Sequence, residues 1–515
     1  MKHPSPTRTA RSRRSFLLGL AAVPVVAAVG CTPRETTAVG TGGLRPLPIP
    51  PLAPSTVDTA GVRRFTLVAA PGSTEMRPGQ QTPTWGFNGS ILGPTLRARR
   101  GEKVGFTIDN RLPETTTVHW HGMHVPARFD GGPHQSIAPG GRWSPEWTVQ
   151  QPGATLWYHP HPHGATEKHA YRGLAGMFLI DDADTDNRDL PRDYGVDDIP
   201  LIVQDRRFTS DGRLDESSPT DVGLLGDTLI TNGIAGAYLD VAAPRVRLRI
   251  LNGSGGRIYN VGLADGGEFS MIASDGGLLP RPVSLTRLVL SPGERAEIIV
   301  PVGQAPRLLR SFPLDERSGG TSREAAAFGF TDSFDMLELR PTGDRTTAPA
   351  LPAALTTIAR LNPSGAVVRR RFDLQWYMIN GERMDMNRID HTSIVDTTEV
   401  WTVRNRDNWP HNFHVHDTQF QILDIDGQAP PQQLAGWKDT VYTPPGSTVR
   451  LALRFSDYTD PTLPYMYHCH LMLHEDQGMM GQFLVLAPGQ RAAPTKMPAM
   501  PGMDHGGTDR GDISH

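Results

Sequence analysis

Four separate His-x-His pairs, leaving aside the overlap of His161 with His163, stand in this chain, two in its first third and two near its end: His119-Trp120-His121, His159-Pro160-His161, His414-Val415-His416 and His468-Cys469-His470. Side chains two apart on a β-strand project from the same face, so each pair presents two imidazoles to one place. A lone histidine is most often a surface or hydrogen-bonded core residue, but four pairs of one spacing describe a metal centre. Any fold that serves such a centre has to bring the two ends of the chain together.

The chain has two cysteines, Cys31 and Cys469. Cys469 lies between two histidines and so points away from their shared face. With His474, Met479 and His411, which stands three residues ahead of His414, it supplies a thiolate, a thioether and two imidazoles. Soft sulfur favours Cu(I) while imidazole accommodates both oxidation states, and this set is what a blue-copper electron-transfer centre requires. One strand then bridges two copper centres. Ten histidines, one cysteine and one methionine account for four copper ions.

In these motifs the chain resembles the multicopper oxidase family, which includes laccases, bilirubin oxidases and cuprous oxidases. The match consists of His119-Trp120-His121-Gly122, Trp157-Tyr158-His159-Pro160-His161, His411-Asn412-Phe413-His414-Val415-His416, and the run from His468-Cys469-His470 through His474-Glu475 to Met479. One departure is visible. The family often reads His-Pro-x-His-x-His-Gly in the third motif, whereas here Pro410 precedes His411 and Asp417 replaces the glycine, with ligand spacing retained. The resemblance implies an all-β chain of three consecutive cupredoxin-like Greek-key β-sandwich domains. It also implies a type 1 copper on His411, Cys469, His474 and Met479 and a type 2 copper on His119 and His414. A type 3 pair would take His121, His159, His161, His416, His468 and His470. The implied activity couples one-electron oxidation of a phenolic, aromatic or metal-ion reductant to four-electron reduction of O2 to water. Phenols, bilirubin-like pigments, Mn(II), Fe(II) and Cu(I) all stay open as substrates.

Oxygen reduction consumes protons, and a dry metal cavity needs acidic residues to relay them. Glu475 directly follows a ligand. Asp130 lies in Phe129-Asp130-Gly131-Gly132-Pro133, a segment similar to one that carries an acidic relay in cuprous oxidases. Asp407, four residues before His411, could bind a metal ion or orient a phenol at the mouth of the blue site, which Trp409 could shape.

Internal repetition supports three domains. Asn88-Gly89, Asn232-Gly233 and Asn380-Gly381 are turn signals, each followed by an alternating strand ending in asparagine: Asn110, Asn252 and Asn405. Nine and eleven residues beyond Asn110 and Asn405 fall His119 and His121, and His414 and His416; beyond Asn252 fall Val261 and Leu263. Copies one and three carry ligands, so they are expected to face each other with the trinuclear group between them, and copy two is expected to act as a spacer. A second register, from Pro139-Gly140 and Pro445-Gly446, places Pro160 where Cys469 stands, which selects His159 and His161 as the pair and leaves His163 a bystander. Expected domains span 57–185, 195–345 and 355–488, with short alternating strands indicating antiparallel sandwiches.

The termini read differently. Ser12-Arg13-Arg14-Ser15-Phe16-Leu17 resembles a twin-arginine export signal, the apolar run 16–30 is short for a membrane span, and Ala28-Val29-Gly30-Cys31 resembles a bacterial lipobox. Residues 1–31 are therefore expected to be a signal and 32–56 a proline-extended tether. That gives an extracytoplasmic, monomeric protein that meets a membrane only through a lipid anchor on Cys31. If Cys31 is acylated, Cys469 has no disulfide partner. Residues 489–515 form a tail with Met497, Met500, Met503 and His505, thioethers suited to Cu(I). A net charge of -3 excludes a polyanion partner such as nucleic acid. Alternatives are a cuprous oxidase of copper tolerance and a non-enzymatic copper-sequestering lipoprotein.

Overall fold

Three buried asparagines close three copies of one turn. In each copy the side-chain amide donates two bonds to backbone carbonyls: Asn110 to Glu114 and Ile137, Asn252 to Arg257 and Leu290, Asn405 to Trp409 and Thr443. Each Oδ1 accepts a backbone N–H two residues on, from Leu112, Ser254 and Asp407. The Asn-Gly turns repeat in the same way. Asn88, Asn232 and Asn380 hold φ between 46° and 56°, a region open to asparagine, and bond to the backbone of Val68, Ile202 and Asp373.

The computed structural model describes residues 43–217, 219–343 and 349–496. The signal-like run through Cys31 and the tail residues Met497, Met500, Met503 and His505 lie outside the described residues. The fold is all-β, built as three consecutive cupredoxin-like sandwiches, with six sheets among the described residues. The first pairs a sheet around Arg63–Arg77 and Lys103–Asn110 with one formed by Leu96–Arg99, Gly176–Asp181, Ala154–His159 and His119–His121. The second encloses Val261 and Leu263 in an aliphatic core. In the third, the sheet containing His411–Val415, Tyr465–His468 and Met480–Leu486 packs on Val368–Gln375, Thr398–Asn405 and Thr448–Arg454.

The sheets are mixed, not purely antiparallel. Arg63–Arg77 runs parallel to Lys103–Asn110, Asp198–Arg206 to Arg245–Asn252, and Val368–Gln375 to Thr398–Asn405. Alternation reports a half-buried strand but not the direction of its neighbour. The stretch read as a tether also differs over its second half. Arg45–Pro46 adds a parallel strand beside Ala237–Val241, Leu47 is buried in the middle core, and Thr56–Val57 pairs with Arg63–Arg64.

Strand pairing sets the ligands side by side. His119 lies opposite His159 in register, and His414 opposite His468. Two short helices, Thr166–Tyr171 and Met472–Asp476, meet where the Asp476 carboxylate accepts the backbone N–H groups of Thr166 and Glu167 at 2.7 and 2.9 Å. The segment after His161 is thereby tied to the helix carrying His474.

Candidate metal centre

Cys469 and His470 follow directly on the strand Tyr465–His468. Cys469 Sγ lies 3.7 Å from His411 Nδ1 and 3.5 Å from His474 Nδ1, and those two nitrogens are 3.0 Å apart. His474 Nε2–H donates to the Asp221 carbonyl at 2.9 Å, and His411 Nε2 faces the Asp407 carboxylate at 2.9 Å. With protons on Nε2, both Nδ1 atoms present lone pairs towards each other and towards sulfur. Lone pairs at this separation call for a cation between them. Met479 is buried in the same cluster, and its carbonyl accepts the Cys469 N–H.

The other eight imidazoles, all buried, gather on the opposite side of the His468–His470 run. Their rings interleave, the closest centroid pairs being His121–His414 at 3.8 Å and His119–His416 at 3.9 Å. His161, His416 and His468 lie 4.8 to 5.3 Å apart; His121, His159 and His470 lie 4.8 to 5.6 Å apart; His119 and His414 are 5.9 Å apart. Nδ1 of His119, His159 and His414 donates to the carbonyls of Asp130, Pro160 and Asp439, each at 2.8 Å, which leaves each Nε2 buried and without a partner. His468 Nε2 faces the Nε2 atoms of His161 and His416 at 3.1 and 3.2 Å. Each such unsatisfied nitrogen would cost about 1–3 kcal/mol if nothing filled the space. The donor set therefore suits bound metal ions. His163 is buried but joins none of the metal-ready groups among the described residues.

Burial governs the electrostatics. It holds the clustered histidines below their ordinary range, His119 to about 4 and His470 to about 3, and most of the others well below it. They are neutral, as ligation requires. Burial also raises the Cys469 thiol to about 12, so only a cation makes it a thiolate at neutral pH. Asp130 Oδ2 lies 2.7 Å from His416 Nδ1, and burial, reinforced by Asp417, lifts its carboxyl well above the usual range. Glu475 reaches His161 Nδ1 at 3.3 Å and His468 Nδ1 at 3.2 Å, accepts the Thr166 hydroxyl, and is raised in the same way by burial and then Asp476.

The multicopper oxidase family profile matches residues 69–185 and 352–489. The multicopper oxidase Mco of Staphylococcus haemolyticus is 36% identical over 85% of this chain and 91% of its own length. The chain belongs to the multicopper oxidase family. This multicopper oxidase is also similar to the cell division protein FtsP of Salmonella typhimurium, 36% identical over 92% of this chain and 98% of that one. Among solved structures it resembles a laccase from Pediococcus acidilactici, at 34% identity and TM-score 0.78, over 86% of this chain and 94% of the other.

Spacing did not reveal the partners of the ligands. Asp439 Oδ1 accepts from His121 Nε2 at 3.0 Å, so His121 offers Nδ1, which is buried and unpartnered. Arg295 from the middle sandwich holds that carboxylate with both terminal nitrogens, at 2.7 and 2.6 Å, and both partners are fully buried. Gly293, at φ +85°, lies so close that a Cβ there would stand 3.1 Å from His121 and 3.2 Å from His470. The middle sandwich is thus part of the centre's wall, not only a spacer. Asp407 is nine-tenths buried against His411, a place from which it orients that ring.

Proposed function

We propose that this multicopper oxidase takes single electrons from small aromatic or metal-ion reductants at the Cys469 site and uses them to reduce O2 to water at the histidine centre. The facing lone pairs carry the reading: they leave room for a type 1 copper on His411, Cys469, His474 and Met479, a type 2 copper on His119 and His414, and a type 3 pair on the two histidine triads. Copper bound there would supply one-electron redox steps and a place for oxygen. The chain's own groups do the rest. Cys469 is joined through the backbone to His468 and His470, which belong to different triads. Asp130, buried against His416, and Glu475, buried against His161 and His468, flank one and the same triad and hold protons where the reaction consumes them. A cleft of about 340 Å3 is lined by Gly122 and Asp417, the residues that follow His121 and His416.

The FtsP relatives favour a second reading, a non-enzymatic role in cell division, against which the full donor set argues. Cuprous oxidation in copper tolerance is a third, motivated by Met497, Met500 and Met503. Oxygen uptake by the copper-loaded full chain with 2,6-dimethoxyphenol, Fe(II) and Cu(I) separates them. Uptake with any reductant supports the oxidase; blue colour without uptake contradicts it. Removing residues after 494 should slow Cu(I) oxidation alone if the tail collects copper. We further propose export through the twin-arginine-type signal with acylation at Cys31, which the mass of the mature N-terminus tests.

A further inference from the structure

Trp376 and Tyr377 form the two-residue turn between Val368–Gln375 and Met378–Ile379. Turns of this length favour Asn-Gly, because a left-handed φ suits small residues. Trp376 nevertheless sits at φ +58° and is 57% exposed, the only ring among the exposed large hydrophobics of the described residues. Such strain persists only where the surroundings impose it. Here the Trp376 N–H donates to the Asp407 carboxylate, which also binds His411 Nε2. The turn is thereby fastened to the Cys469 site.

The rings form a continuous path inward. Trp376 lies 5.7 Å from Trp409, and Tyr377 5.6 Å from Trp409 and 5.2 Å from His474. Trp409 is 6.1 Å from His474. Offset or edge-on ring pairs at these separations attract one another. Asp407 is nearly buried and committed to two donors, and the exposed Asp221 meets the site through its backbone carbonyl, which accepts from His474 Nε2 and Tyr377 OH, so the rings are the flat surface this mouth offers.

We propose that Trp376, backed by Tyr377 and Trp409, is the ring on which a planar aromatic reductant stacks at the His474 edge, and that it sets the preference for such molecules over hydrated metal ions. The proposal rests on the reading of the Cys469 site as the point of reductant oxidation. Because the docking ring is on the surface, it also serves aromatic groups attached to bodies too large for a crevice.

The test uses the copper-loaded full chain and two readouts. Calorimetric binding of naphthalene-2-sulfonate, with cyclohexanesulfonate as the non-aromatic control, should weaken roughly five- to tenfold in Trp376→Ala and recover in Trp376→Phe. The ratio of kcat/KM for 2,6-dimethoxyphenol to that for Fe(II) should fall by a similar factor. Trp376→Gly separates function from folding: it relieves the strained φ, so Tm should hold or rise while aromatic binding is lost. Equal naphthalene-2-sulfonate affinity in parent and Trp376→Ala, or loss of Tm in Trp376→Gly with binding intact, overturns the proposal. The calorimetric arm needs no turnover, so it decides the dock even if oxygen uptake fails and the oxidase reading falls with it.

Discussion

Cys469 shows how much chemistry one buried side chain can carry. Burial alone would keep it a thiol, since its value rises to about 12, and only the cation suited to its two imidazole neighbours reverses that. Cys469→Ser should abolish the intense visible colour while leaving the histidine-bound copper in place; a variant that stays blue would remove Cys469 from the site. His159→Ala should do the opposite, sparing colour and stopping oxygen uptake. Arg295→Lys keeps the charge but loses the paired contact to Asp439. It should lower copper occupancy at the His121 triad, read as altered electron paramagnetic resonance and loss of near-ultraviolet absorption, whereas unchanged spectra would make the ion pair merely structural. The convergence of the His-x-His pairs is legible in sequence because a period of two fixes which side chains share a face. Arg295, Asp439 and Asp221 are not, because their contacts join distant strands and follow no local period.

Elements carry a second set of effects. His124, on the first sandwich, lies between Asp417 and Asp457 of the third at 2.8 and 3.1 Å. Burial would lower its value, but Asp417 and then Asp457 outweigh that and raise it to about 9. The sign follows from a folded value above the unfolded one. The clasp contributes fully below pH 6.5 and is lost as pH rises through about 9, with an upper bound of about 3 kcal/mol. Urea midpoints of the parent and His124→Gln should therefore differ most near pH 6 and converge above pH 9.5; a gap that is constant with pH contradicts the clasp. Removing residues through Leu47 should lower stability by about 2–3 kcal/mol, the loss of one buried aliphatic side chain and an edge strand, measured as a lower unfolding midpoint. Proline content marked 32–56 as an extended tether, and among the described residues of that stretch Arg45–Pro46 and Thr56–Val57 are strands, but composition could not show that Leu47 finds a core. Likewise, strand alternation revealed the sandwiches and the asparagine registers revealed their threefold repetition, while the parallel pairs depended on long-range topology.

Across the whole molecule, the first and third sandwiches supply the donor atoms and the second supplies the wall that fixes one of them. The ligand-free middle copy read as a spacer because its Val261 and Leu263 occupy the ligand register; its contribution comes instead from a different strand, through Arg295 and Gly293. Lone pairs from both ends of the chain are proposed to hold a quartet of redox ions. Elemental analysis of fully metallated protein, combined with the ratio of reductant oxidised to O2 consumed, tests it most directly. Four copper ions per chain and four electrons per O2 with no peroxide released are expected; one copper per chain, or peroxide as the product, would contradict the quartet.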